Sequence, residues 1–168
     1  GGSEQDLIDG IDWCVNNASI FNITVISMSL GVDGYKNTTY CDSSDNPLLV
    51  NSIHTAINRS ISVIAAAGNN DNSPLGVSSP ACISNVTIVG STTKSDSISS
   101  FSDIWSLPML LAPGSSIKSL KPSFGCLSVC SCTDIFMTCS GTSMSAPHVA
   151  GAFALLAQYK RLEQNINL

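Results

Sequence analysis

Charge and aromatic rings are both scarce in this chain: charged residues make up 11% of its 168 positions and aromatic residues 6%. Seven Lys and Arg stand against twelve Asp and Glu, a net charge of -5, and the basic residues form no cluster. A nucleic acid partner, which needs a positive stripe to meet its phosphates, is therefore not expected. No apolar run reaches the roughly 18 to 20 residues that cross a bilayer, so no membrane span is expected either. Histidine occurs only at His54 and His148, which leaves few imidazoles to act as a base near neutral pH. An initiator Met and a signal peptide are also lacking at Gly1, and the chain reads as a processed or excised piece.

What is present is apolar and sulfur-rich. With 43% hydrophobic residues the chain can bury a substantial core, as one domain or part of a larger one. Seven cysteines are many for a cytosolic enzyme and ordinary for a secreted one. Cys126, Cys130, Cys132 and Cys139 fall in one stretch, which allows a zinc site or a disulfide-stapled loop. The spacing lacks the paired C-x2-C knuckles of most structural zinc sites. Cys41 and Cys82 flank a strand and could close a further bridge, leaving Cys14 as a small apolar residue on a helix. Asn-x-Ser/Thr sequons at Asn17, Asn22, Asn37, Asn58 and Asn85 fit a secretory route.

The periodicity alternates. Residues 5 to 18 carry apolar positions at helical spacing, and ITVISMSL then runs as a strand buried on both faces up to Gly31. PLLVNSIHTAINRS is a second helix, capped by Asp45 or Asn46 with Pro47 at its first position. ISVIAAAG, NVTIVGST and SLPMLLAPGSS supply three more strands. The last helix, from about Thr142 to Lys160, is apolar almost all round and is expected in the middle of the protein. Helices alternating with buried strands predict an α/β fold, a mostly parallel sheet covered by helices on both faces, with no linker dividing residues 1–168.

SGTSMSAPHVAG (140–151) opens that last helix. Backbone N–H groups without intrahelical acceptors, and the positive end of the helix dipole, favour a developing negative charge beside Ser143. Gly141 allows a tight turn, and Pro147 is expected in the first helical turn, where its missing N–H costs nothing. A Ser/Thr cap would explain one serine but not the whole string. The string is similar to the nucleophile motif of the subtilisin-like serine proteases. SMSLG resembles the family's substrate-binding strand and AAAGNN resembles the turn bearing its oxyanion-hole asparagine, in the family's order. The likeness covers most of the chain and is thinnest from Lys94 to Thr138.

The resemblance implies that Ser143 is the nucleophile of a serine endopeptidase and that the Asn69 amide is the second oxyanion donor. It implies that Ser29, Leu30 and Gly31 form an edge on which an extended polypeptide substrate pairs. Ala66, Ala67 and Gly68 would line one wall of the primary specificity pocket, whose floor depends on the loop from Asn70 to Cys82. Calcium is common in the family, but no acidic cluster marks a site, and no cofactor is assigned. The family's H-G-T-H and Asp-Thr/Ser-Gly motifs are absent. An in-chain triad would have to use Asp33, His54 and Ser143, although His54 lacks the glycine and threonine that should follow it, and His148 is expected to face into packing. The simpler expectation is a partial catalytic domain, monomeric and secreted, that holds the nucleophile half of the site, with His and Asp upstream and little activity alone. Two other classes stay open: a non-catalytic homologue that binds extended peptides, and a cysteine-metal structural domain.

Overall fold

The computed structural model of the chain describes residues 2–31, 36–71, 75–123, 125–127 and 130–166. Three helices and seven strands occur among them. Helix α1 (Glu4–Phe21) starts at Ser3, whose side chain accepts from the Asp6 amide while Asp6 returns the bond, and ends at Asn22 in the left-handed conformation. Helix α2 (Pro47–Asn58) is capped by the Asn46 side chain, which accepts from Leu48 at 3.0 Å, with Pro47 at the first position.

Strands β1 (Val25–Met28), β2 (Ser62–Ala66), β3 (Thr87–Thr92) and β4 (Leu110–Pro113) pair in that order, all parallel. The two-residue period of a strand divides their side chains between two cores. Val63, Ala65 and Ala67 join Ile8, Ile11, Leu49 and Ile53 of α1 and α2 on one face. Ile64 and Ala66 join Val89, Ala112, Ala146 and Val149 on the other, under helix α3 (Thr142–Ile166). This is the expected α/β architecture, a parallel sheet with helices on both faces.

Three expectations need correction. β1 is an edge strand and Ser27 is exposed, because only β2 pairs with it among the described residues. α3 packs against all four strands but turns Leu155, Leu156, Tyr159 and Leu162 outward, each more than half exposed. Only one face of this helix is covered by described residues, so its all-round apolar pattern does not make it central here. The stretch from Cys126 to Cys139, read as a cysteine loop, contributes β6 (Ser131–Cys132) and β7 (Phe136–Cys139), which with β5 (Ile117–Leu120) form a small antiparallel sheet in the order β5-β7-β6. Cys126–Cys132 and Cys130–Cys139 are disulfides, so these thiols are not zinc ligands. Cys41–Cys82 is the third bridge and Cys14 is free. No helix among the described residues is long and apolar enough to cross a membrane.

Candidate functional site

Parallel strands deliver their carboxyl ends to one side of a sheet, where successive loops meet. Here β1 runs out into Ser29, Leu30 and Gly31, and β2 runs out through Ala67 into Gly68 and Asn69. The first turn of α3 arrives at the same edge. Gly141 donates to the Gly114 carbonyl at 2.9 Å, and Ser140 Oγ accepts from the Ser116 amide at 2.9 Å, which fixes the helix entrance beside β4. At Gly114 a Cβ would lie 2.2 Å from Ser145 Oγ and 2.4 Å from Ser91 Oγ, so only glycine lets helix and strand approach this closely.

Asn69 and the serine helix meet directly. Asn69 Oδ1 accepts from the Thr142 amide at 2.8 Å and from Thr142 Oγ1 at 3.1 Å, and Thr142 Oγ1 in turn accepts from the Gly68 amide at 3.2 Å. With its oxygen occupied on the helix, the carboxamide has its Nδ2 donors left for another acceptor. Thr142 is buried and holds two loops that lie more than seventy residues apart in the chain, a role not read from the sequence although it adjoins the predicted nucleophile.

Ser143 is the second residue of α3, where helical N–H groups have no intrahelical acceptor. Its Oγ donates to the Ser29 carbonyl at 3.3 Å. Ser29 Oγ donates back to the Ser143 carbonyl at 2.8 Å. The second bond has a cause in the sequence. Pro147 is not in the first turn, as expected, but at the sixth helical position. It has no N–H to return to the carbonyl four residues earlier, which is that of Ser143. The Ser29 hydroxyl fills the gap and ties the end of β1 to the helix.

Leu30, Gly31, Ala66, Gly68, Asn69, Thr142 and Ser143 line one cleft of about 210 Å³. Ala67 does not line it. Strand alternation turns its methyl into the opposite core, where it is fully buried. Ser78, from the loop whose contribution was left open, also lines the cleft, and its buried hydroxyl has no hydrogen-bond partner among the described residues.

Neither imidazole is bonded to Ser143 among the described residues. His148 is exposed rather than packed, and its Nδ1 lies 2.7 Å from the Met144 carbonyl. His54 is half-buried on α2, with Nε2 3.1 Å from Asp42 Oδ1 and 3.2 Å from Ser84 Oγ, and Ser84 itself donates to Asp42 at 2.7 Å. One ring nitrogen meets both partners, so these three residues are not relayed in series as a triad requires. Burial pushes the Asp42 carboxyl up, but the Ser84 hydroxyl and amide, its own amide and the His54 ring outweigh this and hold it below the usual carboxylate range. Asp33 lies outside the described residues. The one group of three candidate metal ligands among the described residues is Cys41, Asp45 and Cys82, and both thiols are spent in their disulfide.

The profile described as Subtilase family matches residues 1–165. The chain belongs to that family. It is 37% identical over 157 residues to the alkaline serine exoprotease A of Vibrio alginolyticus, covering 94% of this chain and 25% of that protein. It is likewise 37% identical over 158 residues to an extracellular serine proteinase of a Thermus species, covering 94% of this chain and 33% of the other. Among solved structures, a cold-adapted subtilisin-like serine proteinase superposes with a TM-score of 0.72 at 37% identity, over 95% of this chain and 50% of that one. The chain therefore spans a quarter to a third of these curated subtilases and half of the solved one. The two strand ends that meet in the cleft, after β1 and after β2, carry the segments whose likeness to the subtilases is legible in the sequence.

Proposed function

We propose that the complete protein is a subtilisin-type serine endopeptidase and that this chain supplies the nucleophile half of its site. The observation that carries the reading is the Asn69–Thr142 lock. It sets a carboxamide with free N–H donors and the hydroxyl of Ser143 around one cleft at a helix N-terminus. Ser143 Oγ attacks the scissile carbonyl, the bond to the leaving amine breaks, and water then releases the acyl group. The Ser143 amide and Asn69 Nδ2 are the donors for the oxyanion. Leu30 and Gly31 offer a backbone edge to an extended polypeptide, and the cleft bounded by Ala66, Gly68 and Ser78 takes the side chain preceding the cut.

The imidazole base and its carboxylate partner come from residues outside these 168. The support is the bonding of His54 and His148 elsewhere and the half-length coverage of the solved relative. Secretion belongs to the same reading, on the Thermus relative named extracellular and on three disulfides among the described residues.

Hydrolysis of an internal peptide bond by the complete protein tests this. S143A should abolish turnover by about 10⁵-fold or more, given that loss of the nucleophile in subtilisin costs about 2 × 10⁶ in kcat. Equal hydrolysis by S143A, or a complete protein that binds extended peptides and cleaves none, would overturn it.

A further inference from the structure

The turn that presents Asn69 is held from behind by a buried ion pair. Asp103 is fully buried, and its Oδ1 lies 2.8 Å from the Lys36 ammonium, a side chain only 11% exposed. The same carboxylate accepts from the Asn70 amide at 3.2 Å through Oδ1 and from Asn70 Nδ2 at 3.3 Å through Oδ2. The Asp103 amide donates to the Gly68 carbonyl at 3.0 Å. Lys36 also donates to the Asp71 carbonyl at 2.6 Å, and the Asp71 amide donates to Phe101 at 3.0 Å. Residues 68, 70 and 71 are thus each fastened to this support, while Gly68 and Asn69 line the cleft. The fit is close. At Gly68, with φ of +118°, a Cβ would fall 2.1 Å from Asp103 Oδ2.

We propose that Lys36 and Asp103 are positioning residues for the Asn69 carboxamide: the carboxylate shapes the turn, and the ammonium cancels a charge that would otherwise oppose the oxyanion. Neither side chain lines the cleft. A carboxylate is a suitable clamp because it accepts several N–H bonds at once. It is also a poor neighbour for a site that must stabilise negative charge, since Coulomb repulsion is weakly screened in the interior. Lys36, 2.8 Å from Asp103, balances the buried carboxylate, while the Asp71 carboxylate, 4.0 Å from the same ammonium, is largely exposed to solvent. The inference rests on the acyl-transfer reading above.

Its test uses the complete protein with a peptide substrate and the variants K36M, D103N, K36M/D103N and N70A, with N69A as control. K36M alone leaves a buried charge and should lose stability as well as kcat. The double variant restores neutrality, and replacing a buried pair by uncharged groups is often tolerated. It should melt near the wild-type temperature yet keep a kcat at least about tenfold lower, with KM within about twofold, because an ångström of misplacement is costly. N70A, at an exposed position, removes one of the clamp's bonds without touching charge and should lower kcat in the same KM-neutral way. A double variant with wild-type kcat, or a loss carried by KM, would overturn the proposal. So would wild-type kcat in N70A, which decides the matter if the double variant does not fold. If N69A itself keeps full kcat, Asn69 is not an oxyanion donor and the positioning role falls with it, whereas equal hydrolysis by S143A is the separate result that overturns the acyl-transfer reading.

Discussion

At Asn69 the two ends of one carboxamide do different jobs. The oxygen is committed to Thr142 and the nitrogen is available at the cleft. N69A should therefore lower kcat of the complete protein with little change in KM, by about the 10²- to 10³-fold lost when the corresponding donor of subtilisin is removed. A loss carried by KM would place Asn69 in ground-state binding instead. Ser78 makes a prediction about selectivity. A buried hydroxyl without a partner among the described residues rewards a substrate side chain that can pair with it and penalises one that cannot. S78A should shift kcat/KM toward apolar residues before the cut, relative to hydroxyl-bearing ones, by about tenfold. A series of peptides differing at that position measures the ratio, and an unchanged ratio contradicts the assignment. Ser143 and Asn69 were legible in the sequence because each sits in a local string whose chemistry is compact. Thr142, Ser78, Lys36 and Asp103 were not, since their roles are contacts between residues tens of positions apart, and nothing local marks them.

The elements were legible where periodicity is strong. Four parallel strands, the inner two buried, and three helices follow from runs such as ISVIAAAG, whose alternate side chains serve two cores. The short strands β5 to β7 escaped, because a two-residue strand such as β6 has no period to read. The exposed face of α3 escaped for the opposite reason, since an apolar pattern states what a helix can bury and not what is there to cover it. The joint between β1 and α3 gives a test at this scale. S29A should destabilise the protein by about 0.5–1 kcal/mol, by removing the solvent-exposed bond to the Ser143 carbonyl that Pro147 cannot serve. In a P147A background, where an N–H returns, the same change should cost less. Denaturant melts of the four proteins give the coupling, and strict additivity would show that Pro147 does not matter to Ser29.

The Asp42 clasp between α2 and the turn after Cys82 predicts a pH effect. A carboxyl held below its ordinary range in the folded state favours folding above that range. The contribution is lost as pH falls through the folded value. D42N should flatten the dependence of stability on pH below about pH 5. An unchanged slope would mean that Asp42 titrates alike in the folded and unfolded chain.

For the whole molecule, the proposed function makes the arrangement half of a reaction centre on a rigid base. The sheet edge presents β1, the helix presents Ser143, and the two imidazoles are bonded elsewhere, His54 beside Ser84 and Asp42 and His148 beside the Met144 carbonyl. The open side of β1 and the apolar outer face of α3 are the surfaces left bare by the described residues. Labelling with a fluorophosphonate probe, read by peptide mapping, tests this division of the site directly. One adduct is expected on the complete protein, at Ser143, absent in S143A, with far slower labelling of the 168-residue chain by itself. A folded complete protein that takes no adduct at Ser143, or an isolated chain that reacts as fast as the complete one, would contradict it.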